Sequence, residues 1–254
     1  MKSDSQEPFV SLIWRKRLAY GLVVLLVLTG LSLFLVTAIR GARESARWCS
    51  CNSNLKQMGL GMLNYHAAYG AFPPAYTVDT SGKRLHSWRT LILPFMERKE
   101  IYNRLRLDEP WNSPHNLAVF KEVDASGYQC PSCYKDHEGC YTNYALVIGP
   151  NCVSDGPTSC KLDDLANGSS NTILVVETTA PIRWYEPKDI DIRTLDGEAS
   201  EDEPIIGSCH LRTFQALFCD GSADGIDKNI DKSILRAAIE GKVKSEEASK
   251  ITED

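Results

Sequence analysis

The sequence predicts an α+β fold in which a long N-terminal helix, membrane-spanning in its first half, is packed on an antiparallel sheet with long loops. Three observations predict it: an unbroken apolar run at residues 18–39, an apolar stripe at helical spacing that continues to Tyr69, and three short β-type runs further on, each bounded by Gly, Pro, Asn or Asp.

Residues 18–39 read LAYGLVVLLVLTGLSLFLVTAI, 22 residues whose only ionisable group is the Tyr20 phenol. As a helix rising about 1.5 Å per residue the run extends roughly 33 Å, which matches the hydrocarbon thickness of a bilayer. A cleaved signal peptide is the main rival. Against it, the run exceeds a typical h-region and continues into the charged, helix-prone stretch from Arg40 to Arg47 instead of ending at a small-x-small site. Arg15, Lys16 and Arg17 precede the span, with Trp14 where an interfacial aromatic belongs, and Arg40, Arg43 and Arg47 follow it. Glu44 and the short N-terminal tail tip the orientation to N-terminus inside. The expected organisation is a cytoplasmic tail (1–17), a transmembrane helix (18–39), an exported domain (40–241) and a charged, disordered tail (242–254). Such a chain is single-pass in the inner membrane, with its C-terminal domain periplasmic or exported.

Beyond the span, Trp48, Cys51, Leu55, Met58, Met62, Tyr65 and Tyr69 recur at spacings of 3, 4, 3, 4, 3 and 4, one face of a continuing helix and a core-facing seam. Gly70 and Phe72-Pro73-Pro74 end it, because proline cannot donate to the helical ladder and pushes its neighbour to extended geometry. A short helical piece begins at Ser87-Trp88-Arg89-Thr90-Leu91 and breaks at Pro94; residues 97–105 read as another. Strands are expected at 143–148, 172–177 and 214–218, with loops at 149–170 and 180–207. Residues 231–240 form a last amphipathic helix, capped by Asp231, with Ile234, Leu235, Ala238 and Ile239 on one face and Gly241 just past its end.

A hydrophobic content of 43% in 254 residues allows one substantial domain with appendages and excludes disorder of the whole. The net charge of −5 supplies no basic field for a nucleic-acid backbone, so no nucleic-acid partner is expected. Nine cysteines favour an oxidising compartment, and the odd count leaves at least one thiol free or paired elsewhere.

The common hydrolase, zinc-protease and nucleotide motifs are absent, and nothing assigns a nucleophile. Cys130, Cys133, His137 and Cys140 place four soft or borderline ligands inside eleven residues, enough in type for a tetrahedral zinc shell but tighter in spacing than usual. In an exported domain disulfides compete for the same thiols, with Cys152, Cys160, Cys209 or Cys219 as further partners. A redox role for Cys130 and Cys133 would need a helix N-terminus, which the sequence does not predict there. His210 and Asp220 flank a strand-like run whose extended length would hold them roughly 30 Å apart, unsuited to an acid/base couple. Asp220-Gly221 begins a turn instead. Glu177, ending an apolar strand, reads as a strand-edge hydrogen-bonder without a second carboxylate beside it.

Taken in order, these pieces resemble bacterial pseudopilin-like proteins of planctomycete type, which carry a prepilin-type N-terminus and a C-terminal H-x9-DG signature. The resemblance spans roughly Ala42 to Ile226: Ala42-Arg43-Glu44-Ser45-Ala46-Arg47, the stretch from Cys51-Asn52-Ser53-Asn54-Leu55-Lys56-Gln57 to Leu60, Asn64-Tyr65-His66, Phe72-Pro73-Pro74, His86-Ser87-Trp88-Arg89, Leu93-Pro94-Phe95, Trp111-Asn112-Ser113-Pro114, Cys130-Pro131-Ser132, Thr142-Asn143-Tyr144 and Ser170-Asn171-Thr172-Ile173. His210 and Asp220-Gly221 follow with nine residues between them. The resemblance implies a pilin-like, type II secretion-like architecture, no established enzymatic activity, and contact with envelope or secretion-system proteins. It also points to Cys51 as the mate of Cys130. One departure is plain: the Gly-aromatic pair and the early Glu that pilin processing uses are missing from Trp14-Arg15-Lys16-Arg17-Leu18-Ala19-Tyr20, which favours a permanent anchor. The expected role is therefore a membrane-anchored, non-enzymatic structural or interaction protein that needs no cofactor. The alternative is a small-solute or zinc-binding module, since some classifications of this family suggest a solute-binding relationship.

Overall fold

The computed structural model describes residues 7–133, 140–198, 200 and 203–241. His137 and the expected tail at 242–254 lie outside them. Helix α1 spans Glu7–Tyr69, and the chain divides into two compact units at Ala46/Arg47.

In the first unit α1 is apolar and uncovered. From Leu18 to Ile39 its large side chains are exposed, Leu22, Leu26, Leu33 and Phe34 among them. The helix is long and apolar enough to cross a membrane, with none of its most hydrophobic window buried. Water is a poor solvent for such a surface, at roughly 25 cal/mol per Å².

The second unit is α+β, a helix laid on a mixed sheet. Within it, α1 buries Cys51, Leu55, Met58 and Met62 in one core with Tyr144, Leu146, Val175 and Leu217. The seam predicted from spacing holds over these residues, but Tyr69 at its end is 65% exposed, its ring 4.5 Å from that of Tyr65. After the helix come a small hairpin, β1 (Tyr76–Val78) and β2 (Arg84–Ser87), and three short helices, α2 (Trp88–Leu91), α3 (Lys99–Arg104) and α4 (Pro114–Phe120). Ser87 and Ser113 cap α2 and α4 through their hydroxyls, as their position before helical runs predicts.

The main sheet is built from β3 (Tyr141–Ile148), β4 (Ser154–Asp155), β5 (Thr158–Ser159), β6 (Ile173–Arg183), β7 (Ile190–Asp191), β8 (Thr213–Phe218) and β9 (Ala223–Asp227). Its order is β5-β4-β3-β6-β8-β9, with β7 paired to β3 off that path. The central pairs β3/β6, β6/β8 and β8/β9 are antiparallel, whereas β4 and β7 join β3 in parallel. The three expected strands are thus the centre of the sheet; β4, β5 and β7 come from segments that read as loops, and β9 follows the turn read at Asp220-Gly221. Strand β6 runs six residues past the expected end, through Pro181. Proline is tolerated there because the ladder with β8 covers only residues 173–176, leaving that flank without a central ladder to break. Helix α5 (Lys232–Ile239) is capped by Asp231, whose carboxylate accepts from the Ser233 N–H at 2.7 Å. Its buried face, with Leu235, Ala238 and Ile239, packs against Ile173, Val176, Phe214 and Phe218 on the sheet face that supplies the second core.

Candidate functional site

Four elements of the second unit bring one chemically reactive side chain each to a common point. Cys51 comes from α1, Cys130 from the segment after a short 3-10 turn, Glu177 from β6, and His210 from the loop that enters β8. Their ligand atoms all lie within 4.8 Å of one another. Cys51, Cys130 and Glu177 are 0% exposed and His210 is 3% exposed.

Local structure explains the convergence. Asn52 holds this turn of α1 against the sheet, its amide donating to the Ala223 carbonyl at 2.7 Å and to Gln215 Oε1 at 3.3 Å. Asn54 donates to the Gln129 carbonyl at 3.1 Å, which sets Cys51 against the residue next in line, Cys130. The β3/β6 register shifts between Thr142 and Tyr144, and such a bulge re-aims the side chains beside it. Asn143, inside that shift, accepts from the Cys130 N–H at 3.2 Å and donates to the Thr178 carbonyl at 3.3 Å. Glu177 faces Tyr144 in the ladder, and its Oε2 accepts the Gln215 N–H at 2.8 Å. A disulfide between Cys133 and Cys209 links the two loops that carry Cys130 and His210. The Lys228 ammonium donates to the carbonyls of Ser208 and His210, steadying the second loop.

The geometry at the centre is tight. The Cys51 thiol donates to the Cys130 sulfur at 3.0 Å. His210 Nε2 lies 3.3 Å from Cys51 Sγ, 3.5 Å from Cys130 Sγ and 3.7 Å from Glu177 Oε1. That carboxylate oxygen is buried and has no hydrogen-bond partner among the described residues. The bond from Cys51, together with burial, pushes the Cys130 thiol well above its ordinary pKa. Burial, reinforced by Cys51, Glu177 and Cys130, does the same to the Tyr144 hydroxyl, which donates to the Gln129 carbonyl at 3.3 Å.

The residues singled out from sequence fall in three places. Cys133 is bonded to Cys209, which takes its sulfur out of the Cys130, Cys133, His137 and Cys140 set. Cys130 turns to Cys51 and His210, Cys140 lies just before β3, and His137 lies outside the described residues. The implied Cys51–Cys130 pairing is present as a contact but not as a bond. His210 enters the cluster, whereas Asp220 and Gly221 form the turn between β8 and β9. There the Asp220 carboxylate accepts from the Ser222 N–H at 2.8 Å, and Gly221 has a φ of 85°, a left-handed conformation that suits glycine. Glu177 is not at a strand edge: it sits in the central strand, and its companions are thiols and an imidazole, not a second carboxylate.

Residues 40–157 match the model of a family described as protein of unknown function, DUF1559 (SBP_bac_10). Comparison with curated proteins and with solved structures gave no significant match. The matched stretch contains Cys51 and Cys130, while Glu177 and His210 lie beyond it. The chain is thus similar, over a little under half its length, to a family of unknown function and carries an N-terminal helix fit for a membrane.

Proposed function

We propose that the chain is a membrane-anchored structural or interaction protein of the bacterial cell envelope, pseudopilin-like in build and without catalytic activity. The observation that carries this reading is the uncovered apolar surface of α1 from Leu18 to Ile39, next to a folded domain with its own core and a disulfide. A disulfide persists in an oxidising space, which supports export of the domain and a cytoplasmic N-terminus. The burial of the four clustered groups supports the non-enzymatic side of the reading. Partners are envelope or secretion-system proteins that dock on the exported domain, and the membrane itself through α1.

Protease added to intact spheroplasts tests the reading. The exported domain is then digested while a tag at the N-terminus stays protected, and alkaline carbonate leaves the protein in the membrane pellet. Protection of the domain, or release of the protein by carbonate, contradicts it.

A further inference from the structure

We propose that Cys51, Cys130, Glu177 and His210 bind one zinc-class divalent cation in a closed, four-ligand structural site. The donor set selects the ion. Two cysteine sulfurs, an imidazole nitrogen and a carboxylate oxygen suit zinc and its borderline neighbours, whereas calcium and magnesium take all-oxygen shells.

The spacing fits. Zinc–sulfur bonds of about 2.3 Å and zinc–nitrogen or zinc–oxygen bonds of about 2.0–2.2 Å, arranged tetrahedrally, place neighbouring ligand atoms roughly 3.3–3.8 Å apart. His210 Nε2 already stands at 3.3, 3.5 and 3.7 Å from the other three ligand atoms. The two sulfurs, at 3.0 Å, have to open by under about 1 Å, and the Glu177 carboxylate, whose ligand oxygen lies within 4.8 Å of both sulfurs, stands close enough to complete the shell.

The rival is a Cys51–Cys130 disulfide, which needs the sulfurs to close by a similar amount, to about 2.05 Å. Sulfur separation alone therefore does not decide. Glu177 does. Its Oε1 is buried, lies 3.7 Å from the imidazole within the cluster, and has no hydrogen-bond partner among the described residues. A buried carboxylate oxygen left so is costly. A disulfide would give it nothing, while a cation held by the sulfurs and the imidazole would satisfy it directly. The surroundings behave as supports for ligands: the Gln215 N–H fixes the other carboxylate oxygen, and the Cys133–Cys209 disulfide ties together the loops bearing Cys130 and His210. With all four positions filled by protein the ion has no open site, so its work is to clamp this turn of α1 to β6 and the two loops.

Elemental analysis of the full chain, extracted in detergent without reductant or chelator, tests this. We expect about one zinc per chain; cobalt(II) added to the chelated protein gives the visible bands of a tetrahedral thiolate site. Cys51→Ser and Glu177→Gln each weaken zinc binding by more than about 10-fold, and Glu177→Gln, nearly unchanged in size, carries the test if the cysteine variant misfolds. Cys140→Ser leaves zinc bound. A Cys51–Cys130 disulfide in the unreduced peptide map of a zinc-free protein overturns the proposal, as does zinc that is indifferent to both Cys51→Ser and Glu177→Gln.

Discussion

Arg89 is fully buried, and its guanidinium is held on all sides. Nε and Nη2 donate to the Tyr144 carbonyl at 3.1 and 2.7 Å, and Nη2 donates to Asp189 Oδ1 at 2.9 Å. The same carboxylate oxygen accepts from Trp88 Nε1 and the Leu146 N–H, both at 3.0 Å. Burial lowers the Arg89 pKa and raises that of Asp189, while their contact works against both shifts. Arg89→Met strands a buried carboxylate, so we expect a loss of roughly 3–5 kcal/mol in urea unfolding. Arg104 and Glu122 form a comparably short but exposed pair, and Arg104→Met leaves the midpoint unmoved within error. His86, in β2, supplies a pH dependence. Its ring is buried, and desolvation lowers its pKa, opposed only in part by hydrogen bonding to the backbone of Arg106 and Glu109. The unfolded chain then takes up the proton first as the pH falls, so this contribution is whole above a pH of about 6.5 and is lost below it. His86→Gln flattens the fall in urea midpoint between about pH 7 and 5; an unchanged slope contradicts the assignment. Neither role was legible in the sequence. Arg89 stood inside a short helical run with nothing nearby to mark it as buried, since Asp189 lies 100 residues away in a segment that read as loop.

At the scale of elements, the joint between α1 and the β8/β9 turn is a close one. A Cβ on Gly59 would stand 2.7 Å from Leu217 Cδ1 and 3.2 Å from the Gly221 Cα, so the helix and the turn pass where a methyl group does not fit. Gly59→Ala improves helix propensity by about 1 kcal/mol, yet the methyl would have to displace the buried Leu217 side chain while pressing on the Gly221 backbone, which costs about 1–3 kcal/mol. We expect a net loss of stability, read as a lower urea midpoint; a gain would mean that the helix and turn move apart freely. The long helix, the three central strands and the Asp231 cap were legible because each writes its own period or punctuation locally. The short strands β4, β5 and β7, two residues each, were not, because they exist only by pairing with β3 or with one another. The cluster lay hidden for the same reason. Cys51, Cys130, Glu177 and His210 were each visible in the sequence, but they are spread over 159 residues and four elements. The local spacing of Cys130, Cys133, His137 and Cys140 drew attention instead. A charge at the end of the apolar TILVV run was the signal that pointed inward.

For the whole molecule, an apolar helix long enough to cross a membrane, its large side chains exposed from Leu18 to Ile39, is joined to a domain with two packed cores. The hydrophobic run reported the first directly. Composition reported the second only in kind, through the number of cysteines, and not which of them would bond. The two halves of the account meet in one measurement: the intact mass of the membrane-extracted, unreduced protein, with peptide mapping of its cysteines. The account predicts a chain that keeps residues 18–39 and carries Cys133 linked to Cys209. A mature chain that begins after residue 39, found in the soluble fraction, would contradict the anchor on which the whole reading stands.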